Sequence, residues 1–172
     1  MPVFDMLSVA QALIFAPFVL AIAVWVAWSD MATMKIPNKA VLALGGIWLV
    51  LGLVLVIFQA MPLMMWLWGI VLAVIFMVAG FVANAAGLMG AGDAKFGAVM
   101  APFFIGADPR LICALLAACL LGAFAAHRSM RLITPFRTAT AHWESWTNKK
   151  FPMGLTLAGM LVFYLLWRLI VA

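Results

Sequence analysis

Apolar stretches of about 20 residues, enough for a helix to cross about 30 Å of hydrocarbon, alternate along the chain with short polar or Gly/Pro-rich breaks. The first runs from about Leu7 to Trp28 and stops at Ser29-Asp30, with Trp25 and Trp28 near its end as interfacial anchors. No basic segment precedes it, so it is expected to be a retained span and not a cleaved signal. The polar stretch Asp30 to Lys39 contains Pro37, which discourages helix, and Asn38, a cap for a second run from about Ala40 to Phe58. Gln59 to Pro62 reads as a tight turn. A third run, about Leu63 to Ala86, carries Asn84 near its end and breaks at Gly87-Leu88-Met89-Gly90-Ala91-Gly92. Asp93 opens a fourth, shorter run to about Ile105, kinked or shortened by Pro102. Gly106 to Pro109 combines a helix stop, an Asp108 cap and a proline at the first position of a fifth span, to about Ala126. His127 to Lys150 is polar and basic, and Pro152 leads into a sixth span ending near Val171. The pattern predicts an all-α polytopic membrane protein, a bundle of about six transmembrane helices in a single domain over residues 1–172.

Composition narrows the class. Of 172 residues, 69% are apolar and 9% charged, which excludes a soluble globule and a disordered chain. Six spans consume about 120 residues, so one compact helical domain fits and two do not. The net charge of +5 points to topology and not to a nucleic acid partner. One side of the membrane receives Lys35, Lys39, Lys95, Arg128, Arg131, Arg137, Lys149 and Lys150, and the other only Arg110 and a snorkelling Arg168. Cytoplasmic connections carry the Lys/Arg excess, so both termini are expected to be non-cytoplasmic, with the Asp30, Asp93 and His127–Lys150 connections facing the cytoplasm. Cys113 and Cys119, six residues apart in one apolar run, point about 120° apart on a helix and form neither a disulfide nor a metal knuckle.

Chemistry concentrates in two of the five acidic residues. Asp5 at the terminus, Asp108 as a cap and Glu144 in the polar loop have ordinary solvated roles. Asp30 and Asp93 sit at the cytoplasmic ends of spans, where an ionisable group is a functional candidate. Gly90 and Gly92 permit positive φ and close backbone approach, so Asp93 is presented from a tight loop. In a soluble chain this would read as a glycine-rich connection with a capping Asp; a second Asp on the same membrane face reverses that weighting. Two carboxylates sharing one proton can supply both a general base and a general acid. Cys113 and Cys119 are mid-span, His127 and His142 lie in the loop without a matching acid cluster, and neither HExxH nor GxSxG occurs, so no metal or other cofactor is expected.

Asp30 followed by Ile36-Pro37-Asn38, together with Gly90-x-Gly92-Asp93-x-Lys95, resembles the type IV prepilin peptidases, the GxGD class of intramembrane aspartyl proteases. Pro152-x-Gly154, at the start of the last span, is similar to a recurring feature of that family. The resemblance covers nearly the whole chain. The sequence lacks the cytosolic insertion with paired CxxC motifs of the large bifunctional members and is similar to the short form associated with tight-adherence (Flp) pili. This implies an aspartic-type endopeptidase without N-methyltransferase activity, with Asp30 and Asp93 as the catalytic pair. Its partners would be prepilin or pseudopilin substrates and membrane lipid, at the cytoplasmic face of the bacterial inner membrane. A different class remains open: a small proton-coupled transporter or channel using Asp30 and Asp93 as a relay, which would call for an inverted repeat or broken midplane helices.

Other residues divide between chemistry and packing. Lys95 either steadies a carboxylate or oxyanion or simply snorkels. Asn84 is expected to bond across helices. The His127–Lys150 loop, with Leu132, Ile133, Phe136, Trp143 and Trp146 among its basic residues, suits an anionic membrane surface. Asp30 follows the negative end of one helix dipole while Asp93 sits at the positive end of another, so Asp30 is expected to hold the shared proton.

Overall fold

A computed structural model describes residues 5–171. Their helices are α1 (Val9–Thr33), α2 (Asn38–Ile57), α3 (Leu63–Ala85), α4 (Ala91–Met100), α5 (Pro109–Leu132), α6 (Thr134–Ala139) and α7 (Met153–Ile170), with 3₁₀ turns at Ala101–Phe104 and Glu144–Trp146. Five of them, α1, α2, α3, α5 and α7, are long and apolar enough to cross a membrane. The fourth apolar run is the ten-residue α4 continued by the 3₁₀ turn that contains Pro102. Proline cannot donate the intrahelical bond, and the tighter winding extends this element to roughly 23 Å.

α1 packs chiefly on α7, and α4 on α3. Phe15 of α1, Trp48 of α2 and Phe103 of the 3₁₀ turn form a buried aromatic triangle, with ring centroids 5.3–5.6 Å apart. Trp48 and Trp66 lock α2 to α3 reciprocally, each indole N–H donating to the other's carbonyl at 3.3 and 3.2 Å. Most of α3 and α5 faces outward with large apolar side chains, the surface a lipid-facing helix needs.

Side chains join the bundle at the end opposite the aspartates. Ser8 and Gln11 form a capping box at the start of α1. The Gln11 amide also donates to the Ala60 carbonyl in the α2–α3 turn at 2.7 Å. Arg168 does not snorkel outward as expected: its Nε and Nη2 donate to the Leu7 carbonyl at 2.9 and 2.7 Å, tying the end of α7 to the start of α1.

The polar segment differs most from expectation. α5 continues past Ala126 to Leu132, so His127 is helical, because polar side chains alone do not stop a helix. Trp143 and Trp146 are not membrane anchors; both are buried, packed with Met31 at the end of α1. Trp146 stacks on His127 at 5.0 Å and donates its indole N–H to the Thr140 carbonyl at 2.8 Å. Burial there satisfies both the ring faces and the N–H, which a lipid surface would not. Leu132 and Ile133 remain exposed. Trp146→Ala is expected to destabilise the protein by about 3 kcal/mol in detergent denaturation, whereas Leu132→Ala, at a position 79% exposed, should stay within about 0.5 kcal/mol.

Candidate active site

Asp30 occupies the last turn of α1 and is 4% exposed. Its Oδ2 accepts the Gly154 backbone N–H at 2.6 Å. Gly154 is the second residue of α7, so this N–H is one of the donors a helix start leaves free. Met34 ends α1 in the left-handed region (φ 53°), its N–H donating to the Asp30 carbonyl at 2.9 Å. The chain then turns through Lys35, whose carbonyl accepts the Ser29 hydroxyl at 3.0 Å, into Ile36-Pro37-Asn38. Pro37, not Asn38, takes the N-cap position of α2 and makes no side-chain cap bond. Proline's fixed φ suits a helix entry, and Asn38 is left as the first helical residue.

Asp93 is the third residue of α4, and its carboxylate accepts the backbone N–H of Gly90, the N-cap. This is the acidic half of a capping box, with glycine where Ser or Thr usually stands. The two motif glycines are not in the left-handed region, contrary to the sequence expectation; positive φ falls on Gly87 (φ 73°), at the end of α3. What Gly90 and Gly92 supply is close approach. A Cβ on Gly90 would lie 2.6 Å from Asp93 Oδ2, and one on Gly92 would lie 3.3 Å from Ile36 Cβ. The first glycine makes room for the carboxylate, and the second lets the start of α4 sit against Ile36 of the other motif.

Asp30 and Asp93 line one cavity of about 730 Å³, together with Met34, Ile36, Asn84, the Gly87–Gly92 loop, Lys150, Phe151 and Met153. The two carboxyl groups lie within electrostatic reach of each other. Among the described residues no group of three or more His, Cys, Asp or Glu side chains is placed to hold a metal ion. The helix-dipole distinction between the aspartates does not survive folding. Asp30 ends one helix but faces the start of another, α7, so each carboxylate accepts an N–H at or beside a helix N-terminus.

The neighbours sort differently from the sequence expectation. Lys95 does not line the cavity; its Nζ donates to Asn38 Oδ1 at 3.4 Å, linking the two motifs along their outer edge. Asn84 does not bond to another span. Its Nδ2 donates to the Met89 carbonyl at 2.8 Å and holds the loop that precedes Asp93. Lys150, Phe151 and Met153 enter the cavity wall from the segment leading into α7.

The sequence model of the type IV leader peptidase family matches residues 17–127. The chain belongs to the type IV leader peptidase family. No curated protein and no solved structure matches it. The matched region holds Asp30, Ile36-Pro37-Asn38 and Gly90-x-Gly92-Asp93-x-Lys95 and ends before Pro152-x-Gly154. This multi-pass membrane member of the leader peptidase family therefore completes its cavity with residues outside the matched span. Sequence reasoning singled out Gly154 but missed Lys150, Phe151 and Met153, whose only signal was adjacency to that motif.

Proposed function

We propose that this leader peptidase is an aspartic-type endopeptidase using Asp30 and Asp93 as its catalytic dyad, with residues 1–172 forming one peptidase domain. The observation that carries the reading is the shared cavity: two carboxylates from opposite ends of different helices, each held by a glycine backbone N–H, Gly154 for Asp30 and Gly90 for Asp93. One carboxylate takes a proton from water, whose oxygen bonds to the scissile carbonyl carbon. The other gives a proton to the leaving nitrogen as the C–N bond breaks. The two roles require one shared proton, which a pair of like charges in a poorly solvated site favours.

The substrate class proposed is a prepilin or pseudopilin carrying a basic leader, cleaved at the cytoplasmic face of the bacterial inner membrane, in the short form associated with tight-adherence (Flp) pili. The cytoplasmic assignment rests on the Lys/Arg excess in the connections at the aspartate end of the bundle. Membership in a peptidase family weighs against the alternative of a proton relay between the same residues. N-methyltransferase activity is not part of the proposal, because the sequence carries no paired CxxC insertion. Co-expression with a candidate prepilin, followed by mass determination of its N-terminus, is expected to show the leader removed; the mature N-terminus formed by the purified peptidase alone should carry no methyl group. An intact leader would sink the cleavage reading, and a methylated product made from purified components would sink the second.

A further inference from the structure

Among the described residues, Lys150 is the one cationic residue lining the cavity that holds Asp30 and Asp93. Its backbone is fixed on both sides. The Lys150 N–H donates to Asn148 Oδ1 at 2.9 Å, and the next residue, Phe151, sets its ring against His127 and Phe124 at 6.0 Å. Met153 and Gly154 then start α7, and the Gly154 N–H holds Asp30. The segment that orients one carboxylate thus also contributes Lys150 to the wall of the same cavity. Lys95, the lysine of the aspartate motif, points instead to Asn38.

Resting on the dyad reading, hydrolysis gives this cation a specific task. Water adds across the C–N bond: the hydroxyl goes to the carbonyl carbon, a hydrogen goes to the leaving nitrogen, and the resulting acid releases its proton to solvent. A new carboxylate is left in a cavity that already holds the ionised member of the dyad. Like charges at that range repel, and a cation in the cavity wall offsets them. The side on which it appears also agrees. Lys150 ends the His127–Lys150 connection on the basic face of the bundle, the face on which a basic leader remains by the same charge rule. The carboxylate is formed on the leader fragment.

We propose that Lys150 is the anchor for the carboxylate that cleavage leaves on the departing leader fragment, and so sets how tightly that product is held. Lysine has three donors and no acceptor, which suits a carboxylate and not an ammonium or a guanidinium.

The test uses the full-length protein in detergent and the leader fragment of the prepilin used in the cleavage assay, prepared as the free acid and as the carboxamide. Inhibition of cleavage by the two forms is compared in wild type, Lys150→Gln and Lys150→Arg. For wild type the acid is expected to inhibit at roughly fivefold lower concentration than the amide, the size of a partly solvated charge pair. That ratio should fall to about one in Lys150→Gln, persist in Lys150→Arg and shrink in 1 M salt. Equal inhibition by the two forms in wild type, or an acid preference that survives Lys150→Gln, would overturn it. Failure here is separable from failure of the dyad: no acid preference in wild type, or one that persists in Lys150→Gln, with cleavage still dependent on both aspartates refutes only the anchor, whereas a protein that removes no leader, or removes it without the aspartates, refutes both.

Discussion

Replacing Asp93 with Asn is expected to lower the rate of leader removal by about 10³-fold while leaving the fold intact, and Asp30→Asn should do the same. The two expectations share a physical basis. Asn keeps the size of Asp and an oxygen acceptor, so the bond from the Gly90 N–H to residue 93, or from the Gly154 N–H to residue 30, can still form. It has no oxygen that can take or give a proton at neutral pH. The structural role is retained and the chemical one removed. Thermal unfolding in the same detergent should therefore match wild type or rise, since a neutral amide replaces an ionisable group in a poorly solvated site. Retained cleavage by purified Asp93→Asn protein would refute the dyad, and loss of cleavage accompanied by a collapse in unfolding temperature would mean that the substitution reported on folding.

The span pattern was legible because each break is made by residues with a local effect. Pro37 starts α2, Pro102 converts the end of α4 to 3₁₀ winding, and Asp108-Pro109 starts α5 with an Asp side-chain cap accepting the Arg110 N–H at 2.7 Å. Where the break is only compositional, the boundary was missed. His127 to Arg131 are polar except for Met130, yet α5 runs through them to Leu132, because a helix leaving the membrane needs no apolar face to continue. Long-range bonds had no sequence signal: nothing near Arg168 announces the Leu7 carbonyl, and nothing near Gln11 announces Ala60.

The candidate site shows the same division more sharply. The motif aspartates could be singled out because charge is scarce in this chain and both lie at span ends. The reason for the glycines was only half legible. Spacing suggests freedom of φ or room for backbone, and the structure uses the room: Gly90 for Asp93, Gly92 for Ile36, Gly154 for Asp30. The last of these also removes the dipole distinction between the aspartates, since no local rule told Asp30 that α7 would begin beside it.

Gly154→Ala is the sharpest test of that packing. A methyl at this position would lie 2.9 Å from both Cβ and Oδ2 of Asp30 and 3.0 Å from its Cγ, all on a side chain that is buried and cannot swing away. Two opposing effects set the outcome. Alanine in place of glycine favours a helix by up to about 1 kcal/mol, less in the first turn. Against this, overpacking costs about 1–3 kcal/mol, and displacing the 2.6 Å N–H bond to Asp30 removes a charge-assisted contact of about 1.5–3 kcal/mol. The second pair wins. Stability should fall by about 2–4 kcal/mol, and cleavage should drop by at least 10²-fold, because a misplacement of about 1 Å at a reacting group is enough for that loss. Gly159→Ala on the same helix is the matched control: its added Cβ would meet nothing closer than Phe163 Cε2 at 3.9 Å. It should keep full cleavage and gain up to about 1 kcal/mol from helix propensity. If Gly154→Ala cleaves as well as Gly159→Ala, α7 does not position Asp30, and the carboxylate must be oriented by α1 alone.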